Sequence, residues 1–235
     1  MASSCSLSAQ DMKPAKAAGA PPKTAYYIDP SVMDLEALIP NAPVDGAQDQ
    51  KTELGDLHSL EASRTAQDVA VAKADESEED LFLYKTVFGD RFNAQALPVT
   101  AGVGVHVENE ASVAGGILKT FFQRVRPYNA DKSLHPVCQL TEVANSYPSG
   151  HALVGYLEGF TLAEIVPEKR AEILARADDF AHNRLVCGVH YPSDVEASRK
   201  VAYVVFGYML ATPRFQRDLA AARTETRAVL GLPAK

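Results

Sequence analysis

Pro148-Ser-Gly-His-Ala-Leu-Val-Gly-Tyr-Leu157 decides how this chain folds. Ser149 is a good helix N-cap, because its side-chain oxygen can accept a free amide of the first turn. The apolar run that follows lacks strand-like alternation, so a helix is expected from about 149 to 165. Gly150 lets backbone approach a ligand closely, and the unpaired amides at the helix start suit a phosphate. His151 would sit in the first turn, within reach of an atom bound there. Taken alone, a plain helix cap with an exposed histidine explains the segment equally well.

Working outward, the same helical reading holds in both directions. Downstream, helices are expected over about 168–186 and 192–211, and Pro213 opens a last amphipathic one, Arg214 to Leu230. Val201 to Leu210 is the most apolar stretch and reads as a buried helix. Upstream, a long helical pattern runs from about Val99 to Arg126, where Pro127 ends it. Leu54, Leu57 and Leu60 mark another apolar face, and Thr65 can cap Ala66 to Ala74. Ser77-Glu-Glu-Asp80 resembles a capping box ahead of Leu81, Leu83, Tyr84, Val87 and Phe88. Strand-like alternation is confined to Val103–Val107. The expected fold class is therefore all-α, a single-domain compact helical bundle over residues 26–235. Residues 1–25 form a flexible lead-in, Tyr26 to Pro40 an apolar segment lying against the body, and Asn41 to Gln50 a polar linker.

At 235 residues, with 46% hydrophobic and 23% charged residues, the chain can bury a real core. Its formal net charge of −7 argues against nucleic acid or anionic lipid as partners. Any anion must then meet a local cluster of positive charge. No run reaches the ~18 apolar residues of a membrane span. The N-terminus shows neither a basic n-region nor an apolar h-region, so the expectation is a cytoplasmic chain or a signal-stripped mature form.

Two further clusters supply that positive charge. In Lys119-Thr-Phe-Phe-Gln-Arg-Val-Arg126-Pro127, Lys119 and Arg126 stand seven apart, which on a helix puts both on nearly one face. Arg124 reads as part of a solvated basic stripe, because Lys and Arg are usually surface residues. In Arg184-Leu-Val-Cys-Gly-Val-His190-Tyr-Pro-Ser-Asp194, the carboxylate lies four residues after the histidine. It can hold one ring nitrogen and leave the other as a nucleophile. Each cluster alone has a bland explanation, as a surface stripe or a buried His–Asp pair. Together they assemble three cations, helix-start amides, a nucleophile and an acid, the preorganised electrostatics that phosphoryl transfer needs.

Lys119-x6-Arg126-Pro127, Pro148-Ser-Gly-His151 and Arg184-x5-His190-x3-Asp194 together resemble the tripartite signature of the type-2 phosphatidic acid phosphatase superfamily. Asn145-Ser-Tyr-Pro-Ser-Gly-His-Ala152 and Val186-Cys-Gly-Val-His-Tyr-Pro-Ser-Asp-Val195 are most similar to its soluble branch, the bacterial class A nonspecific acid phosphatases. The resemblance implies hydrolysis of phosphate monoesters of broad specificity through a phosphohistidine, with transfer to alcohol acceptors as a companion activity. It implies His190 as nucleophile, Asp194 as its orienting partner and His151 as acid. Lys119, Arg126, Ser149, Gly150 and Arg184 would bind the phosphoryl oxygens. No metal or cofactor is expected, and inorganic phosphate or vanadate would inhibit. The resemblance also implies a periplasmic or secreted homodimer. Where the family usually has Ser before the third-cluster arginine, this chain has Asn183, for which a changed hydrogen bond to phosphate is expected. His151 must start protonated, which predicts a mildly acidic optimum.

Other features are weaker. Glu108 or Glu110 reads either as lining the pocket mouth or as a solvated helix end. His182 reads as a surface residue, and His58, His106 and His135 lack the spacing of a metal site. If the clusters converge, Cys138 and Cys187 stand near each other, as a disulfide at the pocket wall or as two buried thiols. Cys5 is left over, as a lipid-attachment site or a spare residue. Rival readings of the signature are a vanadate-dependent haloperoxidase, an integral lipid phosphatase, which the missing spans disfavour, and a catalytically weak phosphate-binding protein.

Overall fold

The order of elements follows the helical reading, and among the described residues there is no strand. The computed structural model describes residues 23–233. Most of the lead-in expected over 1–25, Cys5 included, lies outside the described residues, while Lys23 pairs with Glu108. The long helices are α1 (Gln48–Ser63), α2 (Ala66–Glu76), α3 (Pro98–Phe122), α4 (Gly150–Ile165), α5 (Arg170–Val186), α6 (Pro192–Leu210) and α7 (Pro213–Leu230). The fold class is all-α.

Helix α4 is the axis, with nearly every residue from Ala152 to Ile165 buried. A helix apolar all round can only be stable with neighbours on every side, and α3, α5, α6 and α7 supply them. Two glycines allow the closest approaches. A Cβ on Gly155 would lie 2.7 Å from the Phe180 ring, and one on Gly159 would lie 2.5 Å from the Tyr84 hydroxyl. The hydroxyl of Tyr84 donates to the carbonyl of Gly155 at 2.6 Å, so its one polar atom is satisfied inside the core. Tyr27, Ile28, Met33, Leu35 and Ile39 are buried, which seats the N-terminal segment on the bundle. Glu110 holds that segment by accepting the backbone amides of Tyr26 and Tyr27, each at 2.5 Å.

Local departures from the sequence reading have local causes. Val103–Val107 lies inside α3, where Val103 and Val107 are buried and Val105 faces out. The Thr65 cap is present, reinforced by Asp68 as a capping box. Ser77 starts nothing: α2 runs on through Glu76 and Ser77 is its C-cap, while Asp80 caps the short turn Leu81–Tyr84. Helix α1 begins at Gln48, inside the stretch expected to be a linker.

The most consequential departure is at the end of α3. The helix stops at Phe122, and Gln123 turns left-handed with φ 46°. Arg126 is extended, the backbone state favoured before Pro127. Lys119 and Arg126 are therefore not on one helical face. Lys119 comes from the last turn of α3, and Arg126 from the extended segment beyond it.

Candidate active site

Three chain segments meet at the start of α4. Ser149 caps the helix, its hydroxyl accepting from the amide of Ala152 at 3.5 Å. Gly150 and His151 form the first turn, where amides are free and the helix dipole favours an anion. The last turn of α3 brings the Lys119 ammonium so close that a Cβ on Gly150 would lie 3.4 Å from it. The turn between α5 and α6 brings His190, with Gly188 at φ +72° packed against Pro136. Arg184 arrives from the last turn of α5.

Lys119, Arg126, Gly150, His151, Arg184 and His190 line one cavity of about 560 Å³, with Glu76, Glu79, Gln139, Leu140 and Thr141 at its rim. Ser149 lies buried directly beneath Gly150, and Asp194 lies buried behind His190. A larger groove, about 970 Å³, runs between α2 and α5 and is lined by none of these site residues. The basic groups converge on the smaller cavity.

His190 is held at both ring nitrogens. Nδ1 lies 3.3 Å from Oδ2 of Asp194, and Nη1 of Arg126 lies 3.0 Å from Nε2. A guanidinium can only donate, so Nε2 accepts and the ring hydrogen sits on Nδ1, facing Asp194. Arg126 is fixed in turn by donating to the carbonyl of Val189 and to Asn145 Oδ1, both at 2.9 Å. His151 Nε2 reaches the carbonyl of Glu76 at 3.1 Å and Oε1 of Glu79 at 3.0 Å. Arg184 faces Glu76 at 3.5 Å, and its buried Nε has no hydrogen-bond partner among the described residues.

The pocket is short of negative charge. Burial lowers the pKa of Lys119 to about 8, with Arg126 and Arg184 adding to the shift. Burial and then the charge of Arg184 lower His151 to about 4. His190 is pushed well below the usual histidine value by burial, then by Arg126, Arg184 and Lys119. Burial likewise lowers Arg126 and Arg184. A bound dianion would relieve every one of these penalties at once.

Asp194 carries more than the histidine. Oδ1 accepts from Arg124 Nη1 at 2.6 Å, while Oδ2 accepts from Ser146 Oγ at 2.6 Å and the Tyr191 amide at 2.9 Å. Burial still outweighs these contacts and raises its pKa to about 6. Arg124 was expected on a solvated stripe and is instead buried, its side chain 2% exposed. It pairs with Glu53 at 2.7 Å as well and stacks on the Tyr191 ring at 3.8 Å. The extended segment after α3 turns it inward. Asn183 also corrects the sequence reading. Its amide donates to Asp75 Oδ2 at 2.7 Å and it lines the larger groove, so it faces away from the smaller cavity.

The remaining candidates fall into place around this center. Glu108 lies within α3, not at its end, and lines the smaller cavities next to the site together with Glu79. Glu110 is buried and serves the N-terminal segment. His182 lines the larger groove. His58 pairs with Asp131 at 3.0 Å and His135 with Glu61 at 2.7 Å, while His106 stacks on Tyr26. Among the described residues, no group of three or more His, Cys, Asp or Glu is placed to hold a metal ion, and no helix is long and apolar enough to cross a membrane. Cys138 and Cys187 are bonded, tying the rim loop to the His190 turn. Glu53, Glu76 and Glu79 carry no signal in the sequence, whereas Ser146 lies just ahead of Pro148-Ser-Gly-His151 and was open to notice.

The family described as PAP2 superfamily matches residues 100–218, which contain every residue of the three clusters. A non-specific acid phosphatase of Salmonella typhimurium is 32% identical over 164 residues, 66% of this chain and 64% of that protein. One from Providencia stuartii is 32% identical over 123 residues, 51% of this chain and 49% of that protein. The chain thus spans less than two thirds of the length of these relatives. Among solved structures, a transmembrane PAP2 type phosphatidylglycerolphosphate phosphatase from Bacillus subtilis superposes with a TM-score of 0.52 at 15% identity. It covers 70% of this chain and 86% of its own, a likeness of fold.

Proposed function

The chain belongs to the PAP2 superfamily, and on that premise we propose that it hydrolyses phosphate monoesters through a phosphorylated His190. The observation that carries this reading is the convergence of an unprotonated Nε2 on His190 with three cations, Lys119, Arg126 and Arg184, in one cavity whose lining carboxylates, Glu76 and Glu79, number only two. The acid phosphatase names of its relatives support the same reading.

The phosphoryl group sits between Lys119, Arg126 and Arg184, with the amides of Gly150 and His151 as further donors. Ser149, whose oxygen accepts from Ala152, still has its own hydrogen to donate. Once Arg126 turns its donor from Nε2 to the phosphoryl oxygens, the Nε2 lone pair attacks phosphorus as the ester P–O bond breaks, and His151 passes to the departing oxygen the proton that the monoanionic ester brings in. Asp194 stabilises the positive charge that forms on the imidazole. Water then attacks phosphorus, His151 takes the water's proton, the P–N bond breaks and inorganic phosphate leaves. An alcohol in place of water would give phosphotransfer. Inorganic phosphate and vanadate, as dianions or their mimics, would compete for the pocket.

The Cys138–Cys187 bond supports an oxidising location such as the periplasm. A homodimer is part of the same reading, and sedimentation velocity tests it. The decisive experiment is a rapid quench with a generic aryl phosphate under conditions that preserve phosphohistidine. Label on His190, lost in a His190→Ala variant, is expected; hydrolysis with no label, or label elsewhere, rejects the mechanism.

A further inference from the structure

Among the groups behind His190, one is far better placed than a structural arginine needs to be. Asp194 meets His190 at 3.3 Å, but meets Arg124 at 2.6 Å through its other oxygen. Arg124 also donates to Ser193 Oγ at 2.7 Å, and its second terminal nitrogen donates to Glu53 Oε2 at 2.7 Å. Glu53 closes the ring by accepting the amide of Ser193 at 2.6 Å through its remaining oxygen. Arg124 is absent from the lining of the active cavity. Glu53 lies on α1, outside the segment that matches the family.

We propose that Arg124 is a positioning residue for His190: locked by Glu53, it keeps Asp194 ionised and aimed at Nδ1, so that Nε2 stays the unprotonated nitrogen facing the pocket. This rests on the phosphohistidine reading of the site. The physical argument is one of competing costs. A carboxylate with no exposed surface loses its hydration, and charged hydrogen bonds must replace it. Four donors surround Asp194: Arg124, Ser146, the Tyr191 amide and His190. Of these only Arg124 brings a formal positive charge. Lys119 and Arg126 also act on Asp194 over a longer range, and the phenols of Tyr147 and Tyr191 and the carboxylate of Glu53 are further titratable groups around the pair. Without Arg124, Asp194 would hold a proton at higher pH, and a protonated carboxyl orients the imidazole weakly.

The test compares wild type with Arg124→Gln, Arg124→Lys and Glu53→Gln, each checked for folding by circular dichroism. Two readouts are taken. Imidazole nitrogen NMR reports the His190 tautomer, whether or not a substrate is turned over. The pH profile of kcat/KM reports the titration of Asp194. In Arg124→Gln the fixed Nδ1–H tautomer is expected to be lost, and the acid limb to move up by about one pH unit or more. The kcat is expected to fall about tenfold or more, with the inhibition constant of inorganic phosphate changed less than about threefold. Arg124→Lys should recover part of the limb shift, and Glu53→Gln should show a smaller shift of the same sign. A folded Arg124→Gln with an unmoved tautomer overturns the inference, as does a phosphate affinity that falls in step with kcat. If Arg124→Gln does not fold, Arg124→Lys and Glu53→Gln decide by the same two readouts. An inactive wild type would reject the phosphatase reading instead, and the tautomer measurement would still judge Arg124.

Discussion

Nη1 of Arg126 lies 3.0 Å from Nε2 of His190, so a cation covers the nitrogen that faces the pocket. Burial above all, and then the charges of Arg126, Arg184 and Lys119, oppose protonation of that nitrogen, which is why His190 stays neutral well below the usual histidine range. Nε2 is therefore unprotonated at every moderate pH, and on the proposed mechanism other groups must set the pH dependence.

The acid limb of kcat/KM falls to Asp194, whose raised pKa of about 6 means that it protonates early on acidification and releases its hold on His190. The alkaline side reflects the proton needed by the leaving group. In the free enzyme His151 titrates at about 4, so near neutrality the proton must enter with the monoanionic ester, whose second pKa is about 6. Above about 8 the loss of charge on Lys119 adds to the decline. With an aryl phosphate the profile is expected to be a bell centred in the mildly acidic range. A maximum at pH 8 or above would contradict both assignments.

Glu79 should govern which alcohols leave easily. Its carboxylate lies 3.0 Å from His151, is half exposed, and borders the neighbouring cavities it shares with Glu108. A leaving group carrying a second phosphate would pass these like charges, whereas one carrying an ammonium would be attracted. The ratio of kcat/KM for phosphoethanolamine over a sugar bisphosphate should exceed one, shrink with added salt and drop in Glu79→Gln. An unchanged ratio in that variant would show that Glu79 does not select.

The Cys138–Cys187 bond closes a separation of 49 residues and joins the rim to the turn that carries His190. Reducing it, or replacing both cysteines by serine, should destabilise the protein by about 2–4 kcal/mol, chiefly by freeing the unfolded chain. Val137 still donates to the carbonyl of Cys187 at 3.0 Å, so the rim should loosen locally without detaching. Thermal melts with and without reductant measure the first effect, and activity below the melting range measures the second.

Glu158 is a liability in the core. Neither carboxyl oxygen has a hydrogen-bond partner among the described residues, and burial raises its pKa well above the usual carboxylate value. A raised folded-state pKa means that stability is greatest below the unfolded value, about 4.3, and declines as pH rises through the folded one. Glu158→Met, similar in volume and without polar atoms, should stabilise by about 1–3 kcal/mol near neutrality and flatten the pH dependence. Denaturant melts at pH 5 and pH 8 would show it, and a destabilised variant would mean that the carboxyl has a partner.

Much of this molecule is local in origin and was therefore legible. Helix starts at Thr65, Ser149, Pro192 and Pro213 follow from caps and prolines a few residues away. The i, i+4 spacing of His190 and Asp194 brings them together because the next helix begins at Pro192, between the two. What the sequence could not determine is which way a side chain turns once its segment packs. Asn183 and Arg184 are neighbours in the chain, yet a helix turns about 100° per residue, so they serve different cavities. Arg124 looked like surface because its partners Glu53 and Asp194 lie about 70 residues away on either side. A lone arginine belongs in water; it is burial between two carboxylates, which only the packing of α1 and α6 against the end of α3 creates, that turns it into part of the site.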